Sequence, residues 1–173
     1  MHGEGITEHL KGWIKNVIRR QGCVMLEPFY QKVCDFGMEF YAHSNSDISY
    51  MGLSLFNTKN GIYTGNCLAS EREKIKLLTK HVGVECLETI RQQIQSIMRT
   101  QLHGNYVGPF GVDMMALPDG KVHPCVELNL RRTMGHVALN ISKKIAEPGM
   151  MRILFQSGHY ALHITHDDKV HLL

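Results

Sequence analysis

The order of helical and strand-like periods along the chain predicts an α+β protein built round antiparallel strands. Three observations carry this. Strand-like runs come in groups instead of alternating regularly with helices. The tripeptide Pro118-Asp119-Gly120 stands between two extended runs as a hairpin turn. Four windows place apolar residues at helical spacing.

The first window is Thr7 to Gln21, where Leu10, Trp13, Ile14, Val17 and Ile18 share one helical face. Thr7 can cap this helix, and Gly22 after Arg19 and Arg20 is a stop signal. Runs with β character follow: Cys23 to Leu26, Phe36 to Ala42, Ile48 to Phe56 and Ile62 to Asn66. Turn-rich His43 to Asp47 and Thr58 to Gly61 separate the later ones. Glu71 to His81 and Glu85 to Leu102 return to the helical period, and Gly104 ends the second. Two extended runs, Tyr106 to Leu117 and Lys121 to Leu130, flank the Pro-Asp-Gly turn. A helix from about Thr133 to Ile145 stops before Pro148. From Met151 the chain is strand-like, with Gln156-Ser157-Gly158 and Asp167-Asp168 as turns.

Composition narrows the function classes. With 43% hydrophobic and 20% charged residues the usage is that of an ordinary globular chain, which excludes disordered and collagen-like classes. The formal net charge is only +3 and there is no long block of like charges, so no footprint for nucleic acid or an anionic membrane is expected. No apolar run is long enough to span a bilayer, and the N-terminus lacks a signal-peptide pattern, so a cytoplasmic location is expected. The cysteines Cys23, Cys34, Cys67, Cys86 and Cys125 are odd in number and widely spaced, which points to reduced thiols. His159, His163, His166 and His171 lack the spacing of a zincin and read as scattered histidines.

The chemistry is concentrated in Gly111-Val112-Asp113-Met114-Met115 and, after the turn, His123-Pro124-Cys125-Val126-Glu127-Leu128-Asn129-Leu130-Arg131. Side chains alternate along a strand, so Glu127, Asn129 and Arg131 project to one face. Folding back through the turn sets Asp113 beside the Glu127 end of the partner strand, with the register open to a residue or two. Two carboxylates and an amide oxygen are hard ligands suited to Mg²⁺, which is held by one or two carboxylates together with substrate phosphates. Arg131, one alternation further, can meet the same phosphates as a fixed cationic fork. A solvent-facing hairpin also carries polar residues on one side. Here, though, Val112, Met114, Val126, Leu128 and Leu130 fill the other alternation, which marks a packed strand pair with a concentrated polar face. Elsewhere Trp13 and Met114 read as core, Glu39 and Glu85 as surface, and Arg132 as a solvated helix-start residue. Asn66 reads as a turn-end asparagine, with a substrate-facing role as the alternative.

These residues resemble the signature of the ATP-grasp ligases, in which an aspartate on one strand is followed, across a hairpin, by E-x-N-x-R on the next. Asp113, Glu127, Asn129 and Arg131 match it in order and approximate spacing. A second match lies upstream: Met25-Leu26-Glu27-Pro28-Phe29-Tyr30 looks like the family's hinge, a strand ending in a glutamate and an aromatic pair. The resemblance covers about Gly22 to Ile141. It implies that the Pro28 carbonyl accepts from the adenine amino group, that the Tyr30 N–H donates to the ring, that Glu27 is the hinge glutamate and that Asp35 binds the ribose hydroxyls. Met115, sharing the alternation of Asp113, would cover the adenine. Gly111 stands where some members have arginine.

By that resemblance the chain is an ATP-grasp-like α+β protein in which residues 1–173 form one C-terminal domain. Residues 1–70 would make the hinge helix and a small antiparallel sheet, and residues 71–173 the helices and metal-binding hairpin. The family carries a further domain, a lysine-bearing strand and a glycine-rich loop before the hinge. His2-Gly3-Glu4-Gly5 would be the trailing edge of that loop, with the N-terminal domain lacking. The implied function is that of an ATP- and Mg²⁺-dependent carboxylate–amine ligase fragment acting through an acylphosphate, with little turnover expected of this chain alone. The implied partners are small-molecule carboxylate and amine substrates, with a homo-oligomer as a further option. The alternative is a non-catalytic nucleotide-binding or interaction module left by truncation of a larger ligase.

Overall fold

The computed structural model describes residues 6–59 and 61–166. They fall into two compact units, Met1–Gln31 and Lys32–Leu173. The expected turn at Asp167-Asp168, His171 and the segment His2 to Gly5 lie outside the described residues.

The first unit is built on helix α1, Glu8–Gln21. Thr7 Oγ1 accepts from the Leu10 N–H at 3.2 Å, and Gly22 ends the helix with φ 86° while its N–H reaches the Ile18 carbonyl. A left-handed C-cap of this kind suits glycine, which has no Cβ to clash. Glu8 in the first turn and Arg19 and Arg20 in the last complement the helix dipole. Both ends therefore fall where the sequence expects them. Two other expectations fail in this unit. α1 buries no residue, so Trp13 is not part of a core here. The run Cys23 to Leu26 is not a strand: it has strand-like composition but joins no hydrogen-bonded ladder, and a strand exists only with a partner.

The second unit is one seven-stranded antiparallel sheet with three helices. The strands are β1 Cys34–Ala42, β2 Ile48–Lys59, β3 Ile62–Leu68, β4 Gly108–Ala116, β5 Val122–Asn129, β6 Gly149–Gln156 and β7 His159–Thr165, in the spatial order β5-β4-β1-β2-β3-β6-β7. The helices are α2 Glu71–Leu78, α3 Val84–Gln101 and α4 Met134–Ser142. Capping boxes start two of them, Ser70 with Glu73 at α2 and Thr133 with His136 at α4. Ser157 and Gly158, both at positive φ, close the β6–β7 hairpin in two residues, as a right-twisted strand pair favours.

Alternation along β1 and β4 sets the layers. Cys34, Phe36, Met38, Phe40 and Ala42, with Phe110, Val112, Met114 and Ala116, share one face and pack with Leu78, Val82, Leu87, Ile90 and Ile94 of the α2–α3 region. Phe40 stacks on Phe110 at 5.2 Å and meets Tyr50 edge-on at 5.6 Å. Each such fully buried side chain contributes about 1.5–3 kcal/mol. The intervening residues Asp35, Gly37, Glu39, Gly111, Asp113 and Met115 point the other way, where Glu39 meets the first turn of α4.

Candidate functional site

Strand register brings the polar residues of four strands into rows. Gly37 pairs with Ser54 on one side and Asp113 on the other, and Asp113 pairs in turn with Glu127. One step along, Glu39 pairs with Gly52 and Gly111, and Gly111 pairs with Asn129. A step in the other direction, Asp35 lies between Phe56 and Met115. Asp113 and Glu127 are thus directly opposed, which settles the register that the sequence leaves open. These rows floor a cleft of about 490 Å³, within the range of small-molecule sites.

Asp35, Met115, Asp113, Glu127, Asn129 and Arg131 all line this cleft. Asn129 Nδ2 donates to Asp113 Oδ2 at 3.1 Å, so its own Oδ1 takes no part in that bond. Glu127 and Arg131 are exposed, whereas Asn129 is buried. The Asp113 carboxyl is pushed up to about 6, first by burial and then by the negative charges of Glu39 and Glu127; the Asn129 hydrogen bond and Arg131 hold it back. A rise of this kind, from burial first and like charges second, is one that a bound cation would relieve.

Among the described residues no group of three or more His, Cys, Asp or Glu side chains is gathered tightly enough to hold a metal unaided. The donor set of Asp113, Glu127 and Asn129 is instead partial and all-oxygen, the kind that fits Mg²⁺ when phosphate oxygens and water complete it.

Asp35 is half-buried and already engaged. Thr58 Oγ1 donates to its Oδ2 at 2.6 Å, and Lys32 Nζ bonds both that oxygen and, at 2.8 Å, Thr58 Oγ1. Glu27, Pro28 and Tyr30 belong to the first unit, in an irregular stretch after α1. Asn66 is a buried strand residue of the cleft wall rather than a turn-end asparagine. Its Nδ2 donates to Ser54 Oγ at 2.8 Å and its Oδ1 accepts from Tyr63. Burial pushes the Tyr63 hydroxyl up to about 12, so it remains a donor.

Sequence reasoning misses four contributors. Lys32 and Ser54 line the cleft, and nothing local marks them. Glu39, expected at the surface, is 2% exposed in the cleft floor. It shares the alternation of Asp35, a signal that was available, but its burial depends on α4. His136 is buried beside it.

No family model matches the chain, and no curated protein matches it. Solved structures do. It is similar to an ATP-grasp superfamily protein from Archaeoglobus fulgidus, with a TM-score of 0.52 and 15% identity over 81% of this chain and 47% of that one. It is also similar to a biotin carboxylase from Campylobacter jejuni solved as a β,γ-ATP complex, with a TM-score of 0.53 and 9% identity over 83% of this chain and 35% of that one. The chain therefore spans less than half the length of either structure, and over that span it has the ATP-grasp fold.

Proposed function

We propose that the second unit binds ATP as its Mg²⁺ complex, and that the chain is the nucleotide- and metal-binding part of a carboxylate–amine ligase acting through an acylphosphate. The observation that carries this reading is the opposition of Asp113 and Glu127, with Asn129 and Arg131, on the floor of an open cleft in an ATP-grasp fold. Asp113, Glu127 and Asn129 would hold the ion together with phosphate oxygens; bound there, it neutralises charge on the phosphoryl group in transfer.

Arg131 brings a planar cationic fork to the same phosphates. Met115 offers an apolar surface to the base, and Asp35 accepts from the ribose hydroxyls. Adenine recognition by the Pro28 carbonyl and the Tyr30 N–H, next to Glu27, rests on the resemblance of the hinge. Phosphoryl transfer of this kind needs placement and charge stabilisation more than a protein nucleophile. Small-molecule carboxylate and amine substrates are the corresponding partners.

The test is a titration with a fluorescent nonhydrolysable ATP analogue, with Mg²⁺ and then with EDTA. Saturable binding that requires the metal is expected. Binding indifferent to Mg²⁺, or none, contradicts the reading.

A further inference from the structure

That reading leaves Glu39 without a task, although it is the most deeply buried carboxylate of the cleft. Its Oε2 accepts from Thr133 Oγ1 at 2.8 Å and lies 2.9 Å from His136 Nδ1. His136 is itself 4% exposed, and its Nε2 is 3.1 Å from the Phe40 carbonyl. A carbonyl only accepts, so Nε2 carries a hydrogen. Nδ1 also accepts from the Thr133 N–H at 3.3 Å and lies 3.0 Å from Thr133 Oγ1, so Glu39, Thr133 and His136 form one buried polar cluster. These mutual contacts make burial of the carboxyl group tolerable.

Both contacts run from β1 to the first turn of α4. Thr133 is at once the N-cap, bonded to the His136 N–H, and a ligand of Glu39. It stands two residues past Arg131 and four past Asn129. The space around the carboxylate is made by glycine. A Cβ on Gly111 would come within 2.5 Å of Glu39 Oε2, and one on Gly135 within 1.9 Å of Oε1. Gly111 is also the residue between Glu39 and Asn129 in their row, so the carboxylate lies across the strand that separates them. The register shift beside Glu39, which leaves Met51 of β2 unpaired, falls at the same point.

We propose that Glu39 is a positioning residue of this site: through Thr133 and His136 it fixes the first turn of α4, and with it the end of β5 at Asn129 and the bend that carries Arg131. For its effect on ligand binding the proposal rests on the Mg²⁺–nucleotide reading above.

The experiment compares the parent with Glu39→Ala and Glu39→Gln by the same analogue titration. It is paired with NMR of the His136 ring and of the Asn129 and Arg131 side-chain N–H groups. Glu39→Ala is expected to weaken Mg²⁺-dependent binding at least about tenfold and to shift the Asn129, Arg131 and His136 ring signals. Glu39→Gln, whose amide donates to Nδ1 from the same place, is expected to restore binding to within about threefold and the signals towards their parent positions. If Glu39→Ala does not fold, Thr133→Val replaces it, with the same expected losses in binding and in the Asn129 and Arg131 signals. Parent-like binding in the Ala variant, or a Gln variant no better than Ala, overturns the proposal. If the parent binds no nucleotide the functional reading falls, and unmoved Asn129 and Arg131 signals in Glu39→Ala then overturn the positioning role as well.

Discussion

The two faces of β1 and β4 share one backbone ladder and differ only in which alternate residues they present. On one face Phe36, Met38, Phe40, Phe110, Val112 and Met114 close against the α2–α3 region with almost no exposed area. On the other, the carboxyl groups of Asp35, Glu39 and Asp113 gather beside glycines, and Asp113 is held well above the ordinary aspartate range. The difference teaches that stability and chemistry are separated here by one residue of phase. Substitutions at Phe36, Met38 or Phe40 act on the fold, and those at Asp35, Asp113 or Met115 act on the cleft.

The largest effect is expected on the closed face. Phe40→Ala removes a ring packed between Phe110 and Tyr50 and should cost about 3–5 kcal/mol of stability, read from the denaturant midpoint. Gly135→Ala sharpens the contrast from the other side. Its methyl would collide with Glu39 Oε1, and a loss of about 1–3 kcal/mol is expected from overpacking a buried polar contact. A change in thermal midpoint too small to measure would mean that the carboxylate is not seated as described.

Asp113 gives the comparison a pH signature. The folded protein keeps the Asp113 proton up to about pH 6, while the unfolded chain releases it near 3.8. Its contribution to stability is therefore full below 3.8 and is lost as pH rises through about 6. Most carboxylates that are ion-paired or hydrogen-bonded in a native fold show the opposite sign. Asp113→Asn should remove this slope from thermal unfolding of the ligand-free protein. On the proposed reading, Mg²⁺-dependent nucleotide binding would need the ionised form and should strengthen over the same interval in the parent.

A smaller effect is expected at the base and ribose. On the proposed hinge reading, backbone contacts at Pro28 and Tyr30 would favour adenine over guanine, because a carbonyl facing the guanine carbonyl leaves a buried acceptor unpaired, worth about 1–3 kcal/mol. ATP should then compete at least about tenfold better than GTP. Asp35→Ala should weaken both nucleotides without changing their ratio. Equal competition by ATP and GTP would remove the hinge assignment.

Local signals were the legible ones. The helix bounds Glu71–Leu78 and Val84–Gln101 fall close to the windows read from periodicity, and Thr7, Gly22 and Thr133 act at helix ends as their chemistry suggests. The hairpin turn and period-two alternation were enough to put Asp113, Glu127 and Asn129 on one face, whereas Arg131 lies past the end of β5 and reaches the cleft from the bend that follows. What depends on distant partners was not legible. Cys23 to Leu26 has the composition of a strand and no ladder to join. Glu39 looks like a solvent-facing strand residue until Thr133, 94 positions later, closes over it. The direct opposition of Asp113 and Glu127 also needed the bulge between Asp113 and Met115, which no pattern announces.

The proposed reading is that the face of Asp113, Glu127 and Asn129 holds a nucleotide through its metal. It is tested most directly by isothermal titration of the parent, Glu127→Ala and Glu85→Ala with a nonhydrolysable ATP analogue in the presence of Mg²⁺. Both glutamates are exposed, so neither change should move stability by more than about 0.5 kcal/mol. Only Glu127 lines the cleft. A loss of at least about tenfold in affinity for Glu127→Ala, with Glu85→Ala binding like the parent, is the expected result. Parent-like binding by Glu127→Ala would contradict it.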